Sequence, residues 1–250
     1  MSAPPRVHAL LRGAADGPLR VVHRGRDAVY VEVAGRCVGV VGRRASAVPC
    51  ALRSRSGHLH PPGRGSGPAP AYLRGGILYL DGRPLQVGRI VDVRVPPLPD
   101  TAGPTTMQAS PPAPVAGSVV DLPPDLPPYL TADHVARLVG LGGGLTPLGD
   151  DVLCGWLAVH RAAGVATPAV DAAVRAHLSR TTLLSATLLE CALAGEVLPE
   201  FAAYVATIGT PHETDRAAAL AAVGHTSGAG LLHGSLLALA ELDHTNGVAA

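Results

Sequence analysis

Apolar residues fall in two different rhythms along the chain. Up to about residue 95 they form short, β-branched runs: Leu19 to His23, Ala28 to Val33, Cys37 to Val41, Gly76 to Leu80 and Arg89 to Val95. Turn signals such as Arg24-Gly25, Ala34-Gly35 and Asp81-Gly82 separate them, and alternation within Arg89 to Val95 predicts a strand with one buried face. From Leu130 onward the chain is rich in Ala and Leu with helical spacing. That spacing predicts helices near 131–140, 147–163, 167–179, 181–195, 199–208, 212–223 and 228–243. Thr-Pro pairs at Thr146-Pro147, Thr167-Pro168 and Thr210-Pro211 mark helix starts, each placing a hydroxyl where it could cap the first turn.

These periods predict an α+β protein: a small antiparallel β barrel or sandwich over 1–95, followed by an all-α helical domain over 130–250. Between them, proline recurs from Pro96 to Pro128, so residues 96–129 are expected to be a proline-rich linker. The stretch His60 to Pro70 reads as a loop.

Composition narrows the classes. The 250 residues carry a net charge of +1, and all 20 basic residues are arginine. No arginine cluster is interleaved with the few aromatics, so nucleic-acid binding is not expected. Cys37, Cys50, Cys154 and Cys191 lack metal-site spacing and read as reduced thiols. Apolar runs stay short of the roughly 20 residues that span a bilayer. With no signal-peptide pattern at the start, a soluble, cytoplasmic protein is expected.

The densest chemistry lies in Gly140-Leu-Gly-Gly-Gly-Leu-Thr-Pro-Leu-Gly-Asp-Asp151, with five glycines and twin acids opening an apolar helix. Backbone N–H groups freed by glycine can converge on an anion. A second glycine-rich start, His225-Thr-Ser-Gly228, opens the last helix. Aligning Gly149 with Gly228 also matches Leu153 to Leu232, Gly155 to Gly234 and Leu157 to Leu236. Interior glycine costs a helix about 0.5–1 kcal/mol against alanine, so close helix–helix approach at Gly155 and Gly234 is expected. The two helices should then bring their starts to one cleft.

Each residue there has a plainer reading. Asp150 and Asp151 complement a helix dipole, Thr226 and Ser227 cap a helix, and His225 packs. Two carboxylates would repel a bare anion, so a phosphate would call for a bridging Mg²⁺ on Asp150 and Asp151 or an arginine from elsewhere. The acids could instead take donors from the ligand. Thr181 and Ser185 sit one helical turn apart, either bonding back to their own helix or facing the same cleft. Glu196 and Glu200 read as solvated. His233 reads as structural. No nucleophile–base motif is recognisable.

The three motifs, Gly140 to Asp151, Thr181 to Ser185 and Gly224 to Gly228, together resemble a bacterial family. It is the AllH-type subunit of oxamate carbamoyltransferase, formerly a domain of unknown function. The resemblance covers about 120 residues of the C-terminal half. It implies purine or allantoin nitrogen catabolism, exchange of carbamoyl between oxaluramate and phosphate, and partner subunits of a multi-chain assembly. Carried over, Gly142, Gly144, Thr146, Gly149, Asp150 and Asp151 match the first motif. Thr181 and Ser185 match the second, and His225, Thr226, Ser227 and Gly228 the third. The chain departs at Gly143 and Leu148, where proline and a small hydroxyl residue are common in the family. On this reading, N–H groups near Gly142, Gly143, Gly144 and Ser227-Gly228 hold oxyanions, Asp150 or Asp151 orients an amide or a metal, and His225 transfers protons. Carbamoyl phosphate, oxamate or a similar small molecule is the expected ligand, and a homo-oligomer is compatible. Two other classes remain: a non-catalytic ligand-sensing or scaffold subunit, and a stand-alone metal-dependent hydrolase.

Overall fold

The computed structural model describes residues 1–55, 71–99 and 129–248. The loop expected over His60 to Pro70 and most of the expected linker lie outside them. The chain divides into two units, Met1–Val93 and Arg94–Ala250, and belongs to the α+β class.

Among the described residues, the first unit holds ten short strands in two sheets. One runs in the order β10-β1-β6-β5-β4-β3 and comprises Arg89–Ile90, Ser2–Ala3, Ala51–Arg53, Arg36–Val41, Ala28–Val33 and Val21–Arg24. The other runs β2-β7-β8-β9, from Gly17–Leu19 through Ala71–Arg74 and Ile77–Leu80 to Arg83–Leu85. Val31, Val33, Val38 and Leu52 of the first sheet share one core with Leu73, Leu78 and Leu80 of the second. Two predicted turns close hairpins: Ala34-Gly35 joins β4 to β5 and Asp81-Gly82 joins β8 to β9, all four residues at positive φ.

The six-stranded sheet is mixed. β5 pairs with β6, and β1 with β10, in parallel. Helix α1 (Pro5–Gly13), which the apolar pattern does not predict, buries Val7 and Leu11 in this core. The strand expected over Arg89 to Val95 ends at Ile90; Val91 N–H still donates to Ala3 O at 2.9 Å, and the backbone beyond finds other partners. Arg94 bridges Glu196, and Val95 N–H donates to Gly195 O at 2.7 Å.

The second unit carries helices α2 (Ala132–Leu138), α3 (Leu148–Ala162), α4 (Pro168–His177), α5 (Leu183–Leu193), α6 (Pro199–Val205), α7 (Glu213–Ala221) and α8 (Ser227–Val248). The α3 residues from Leu148 to His160 are buried without interruption. A helix apolar on every side must be enclosed, and α2, α5 and α8 enclose this one. Trp156 Nε1–H donates to Glu241 Oε2 at 3.0 Å, fixing α8 along its flank. No described helix is long and apolar enough to cross a membrane.

The Thr-Pro hydroxyls do not cap their helices, contrary to expectation. Thr146 bonds to Ser227, and Pro147 is the residue flanking α3. Thr167 Oγ1 takes a hydrogen bond from Arg161 and donates to Asp171. Thr210 donates to Thr207 O, while α7 starts only at Glu213. Thr182 caps α5, accepting from Ser185 N at 3.1 Å, and Thr131 forms a capping box with His134 at the start of α2.

Candidate functional site

Gly140 adopts φ +79°, and a Cβ there would lie 2.5 Å from Arg180 O. The chain therefore turns back after α2 in a way that only glycine permits. The turn aims Gly140 N–H at Asp150 Oδ1, 2.9 Å away. Gly149 N–H donates to Leu141 O at 2.9 Å and closes the loop onto the start of α3. Between these anchors Gly142, Gly143 and Gly144 are exposed, with Gly142 and Gly144 at φ +105° and +89°. Among the described residues, none of their three N–H groups donates to another group of the chain.

The twin acids divide between two faces of α3. Asp150 is 0 % exposed and turns toward α5. Its Oδ2 receives the Ser185 hydroxyl at 2.6 Å and the Thr181 hydroxyl in a short bond, while Oδ1 receives Gly140 N–H. Three donors offset its charge, and a divalent ion there would have to displace them. Among the described residues, no group of three or more His, Cys, Asp or Glu could hold a metal.

Asp151 turns toward α8. It is 4 % exposed, and a Cβ on Gly230 would lie 2.8 Å from its own Cβ. Its Oδ2 is buried with no hydrogen-bond partner. Burial pushes its carboxyl up to about 8; the adjoining Ser227 hydroxyl pulls it down, and Asp150 adds a further upward push. At neutral pH the residue is therefore mostly uncharged, and the pair does not present the two negative charges its sequence suggests.

The two glycine-rich starts meet. Thr146 Oγ1 and Ser227 Oγ lie 2.8 Å apart, and deeper in, the helices touch through the aligned glycines. A Cβ on Gly155 would lie 2.1 Å from Leu231 O, and one on Gly234 would lie 1.9 Å from Val152 O. Val152 and Leu231 are themselves equivalent in the alignment that pairs Gly155 with Gly234, so the contact is reciprocal. The same logic repeats at the starts: Gly149 abuts Leu138 O at the end of α2, and Gly228 abuts Leu220 O of α7. Each half is a short helix, a glycine turn and a long helix.

Other expected site residues lie nearby in different states. Thr181, just before α5, and Ser185, within it, both face Asp150, whereas Thr187 bonds back to its own helix. Thr226 and Ser227 are half-buried at the start of α8 and His225 is exposed before it. Gly149 and Gly228 are buried; the Gly228 N–H is taken by Val223 O at 2.9 Å, so it does not serve as the oxyanion donor expected there. His233 is half-buried, and burial lowers its pKa. Glu196 pairs through its backbone with Arg94. The expected site thus divides into an exposed glycine loop, a hydroxyl pair and two dissimilar acids. Sequence reasoning missed the part played by Gly140, whose signal was its place just after the residue that ends α2.

Residues 138–239 match the family model for oxamate carbamoyltransferase subunit AllH. The match runs from the end of α2 through most of α8, less than half of the chain. It contains every candidate residue named above and agrees with the resemblance carried by the three motifs. Neither a curated protein nor a solved structure matches the chain.

Proposed function

We propose that this chain is a carbamoyltransferase subunit that binds carbamoyl phosphate or a small carboxylate or amide such as oxamate where α3 and α8 begin. The AllH match supports the carbamoyltransferase association; the name describes a subunit, so other chains of the assembly are the natural partners. The observation that carries the location is the Thr146–Ser227 hydrogen bond. It joins the two glycine-rich starts beside three exposed, unengaged glycine amides.

Exposed N–H groups at a helix start favour an oxyanion. The two acids do not oppose this, because Asp150 is surrounded by donors and Asp151 is held mostly neutral. The Thr146 and Ser227 hydroxyls, which can both donate and accept, would meet the rest of the ligand. His225, exposed two residues before Ser227, would be the proton-transfer group.

Thermal unfolding of the full chain with carbamoyl phosphate, oxamate and inorganic phosphate tests the reading. At least one should raise Tm by several degrees, and Thr146→Val and Ser227→Ala should each remove the rise. Unchanged shifts in both variants would move the ligand elsewhere, and no shift from any of the three would remove the reading. Binding without turnover in the presence of the other subunits would assign the chain a sensing or scaffold role.

A further inference from the structure

Charge is divided unevenly between the two units. Of the 20 arginines, 14 lie within Met1–Val93, together with five of the 19 acids. A chain of net charge +1 thus contains a strongly basic unit. The absence of lysine does not produce the imbalance, because the helical unit shares it and is acidic. The six-stranded sheet gathers part of this charge at one end. There β3 ends and β4 begins, β5 and β6 end in parallel, and β1 and β10 begin. Arg26 sits in the turn between β3 and β4, Arg43 and Arg44 follow β5, Arg55 follows β6, and Arg89 opens β10. Gly42 N–H donates to Asp27 O at 2.8 Å and Ser54 N–H to Val41 O at 2.8 Å, which ties these segments to one another. All five arginines are exposed, and none of them makes a hydrogen bond or ion pair among the described residues. Elsewhere in the unit Arg20 pairs with Glu32 and Arg24 with Asp81. Asp27, the acid on these turns, is itself engaged.

We propose that this arginine row binds the phosphate backbone of a nucleic acid, without preference for base sequence. From β10 to β3 the sheet end spans five strand spacings, about 24 Å. A single file of cations matches a linear polyanion, and each guanidinium fork can take two oxygens of one phosphate. A phosphate chain repeats its charge at short, regular intervals along the whole row. An acidic protein face would have to place separate carboxylates to match it. A lipid surface would call for apolar anchors among the cations. Ile90 is exposed at one end of the row, but the turns bearing the other four arginines hold no large apolar residue. The same turns hold no aromatic residue, so bases find no stacking platform and recognition stops at the backbone. Scattered from position 26 to position 89, these arginines form no cluster in the sequence, which by itself argues against such a partner. Pairing of β1, β6 and β10 brings them together.

Fluorescence anisotropy of the full chain with a labelled single-stranded oligonucleotide of about 20 nucleotides tests the assignment. Binding should be micromolar at about 50 mM salt, and log affinity should fall against log salt with a slope of about −3 to −4, as five phosphate contacts require. Arg43→Ala combined with Arg44→Ala should weaken binding about tenfold or more and reduce the slope by about 1.4. Both side chains are exposed and unbonded, so Tm should stay where it is. Arg175→Ala combined with Arg216→Ala removes the same charge from exposed positions of the helical unit and should leave binding unchanged. No binding at low salt, an unchanged slope in the Arg43 and Arg44 variant, or an equal loss in the helical-unit variant would overturn the assignment. Tighter binding to vesicles containing phosphatidylserine than to the oligonucleotide would overturn it in favour of a lipid surface.

Discussion

Two adjacent aspartates with opposite environments show how far a residue's chemistry depends on its neighbours. Asp150 is a fully buried acceptor of three hydrogen bonds that tie α3 to the glycine turn and to α5. Asp150→Asn replaces an acceptor oxygen with a donor facing donors, and should destabilise the second unit by about 2–4 kcal/mol in urea unfolding. Asp151→Asn should act in the opposite sense and only at higher pH. The Asp151 carboxyl titrates near 8 in the folded chain against 3.8 ordinarily. Between those values the folded state holds a proton that the unfolded state has released. Its contribution to stability is therefore present below about 4 and falls as pH rises toward 8. Wild type should lose stability relative to Asp151→Asn across that window, and the variant should be the more stable of the two at pH 8. Parallel stability–pH curves would show that Asp151 ionises normally.

At the scale of elements, glycine sets how closely α3 and α8 approach. Each of Gly155 and Gly234 faces a carbonyl oxygen of the opposing backbone, at about 2 Å from where a Cβ would stand. Backbone cannot step aside as a flexible side chain can. Gly155→Ala and Gly234→Ala should each destabilise by about 3 kcal/mol or more, although alanine in a helix gains about 1 kcal/mol in propensity. Gly143→Ala, in open space, should be close to neutral in stability. The paired pattern of Gly149, Gly155, Gly228 and Gly234 was readable because packing glycines leave a spaced signature. The helices were readable because their apolar period is sustained over several turns. Helix α1 was not, since nine residues opening on proline offer little more than two turns of pattern. Strands such as Ser2–Ala3 and Ala51–Arg53 are too short for alternation to show and owe their pairing to neighbours. The separation of the twin acids was hidden for a related reason. It depends on Thr181 just before α5, on Ser185 within it, and on Ser227 at the start of α8, none of which spacing near residue 150 could reveal.

Across the whole molecule, the candidate chemistry gathers in the helical unit, and the segment that matches AllH lies wholly within it. The strand unit has its own core. On the proposed function, an oxyanion settles on the amides of Gly142, Gly143 and Gly144, beside the Thr146–Ser227 pair. Backbone hydrogen exchange of the full chain, with and without saturating carbamoyl phosphate, addresses those amides directly. Protection should appear at residues 142–146 and extend to Ser227, while the Gly228 amide, already bonded to Val223, changes little. Unchanged exchange across 142–146 with ligand bound would contradict the account.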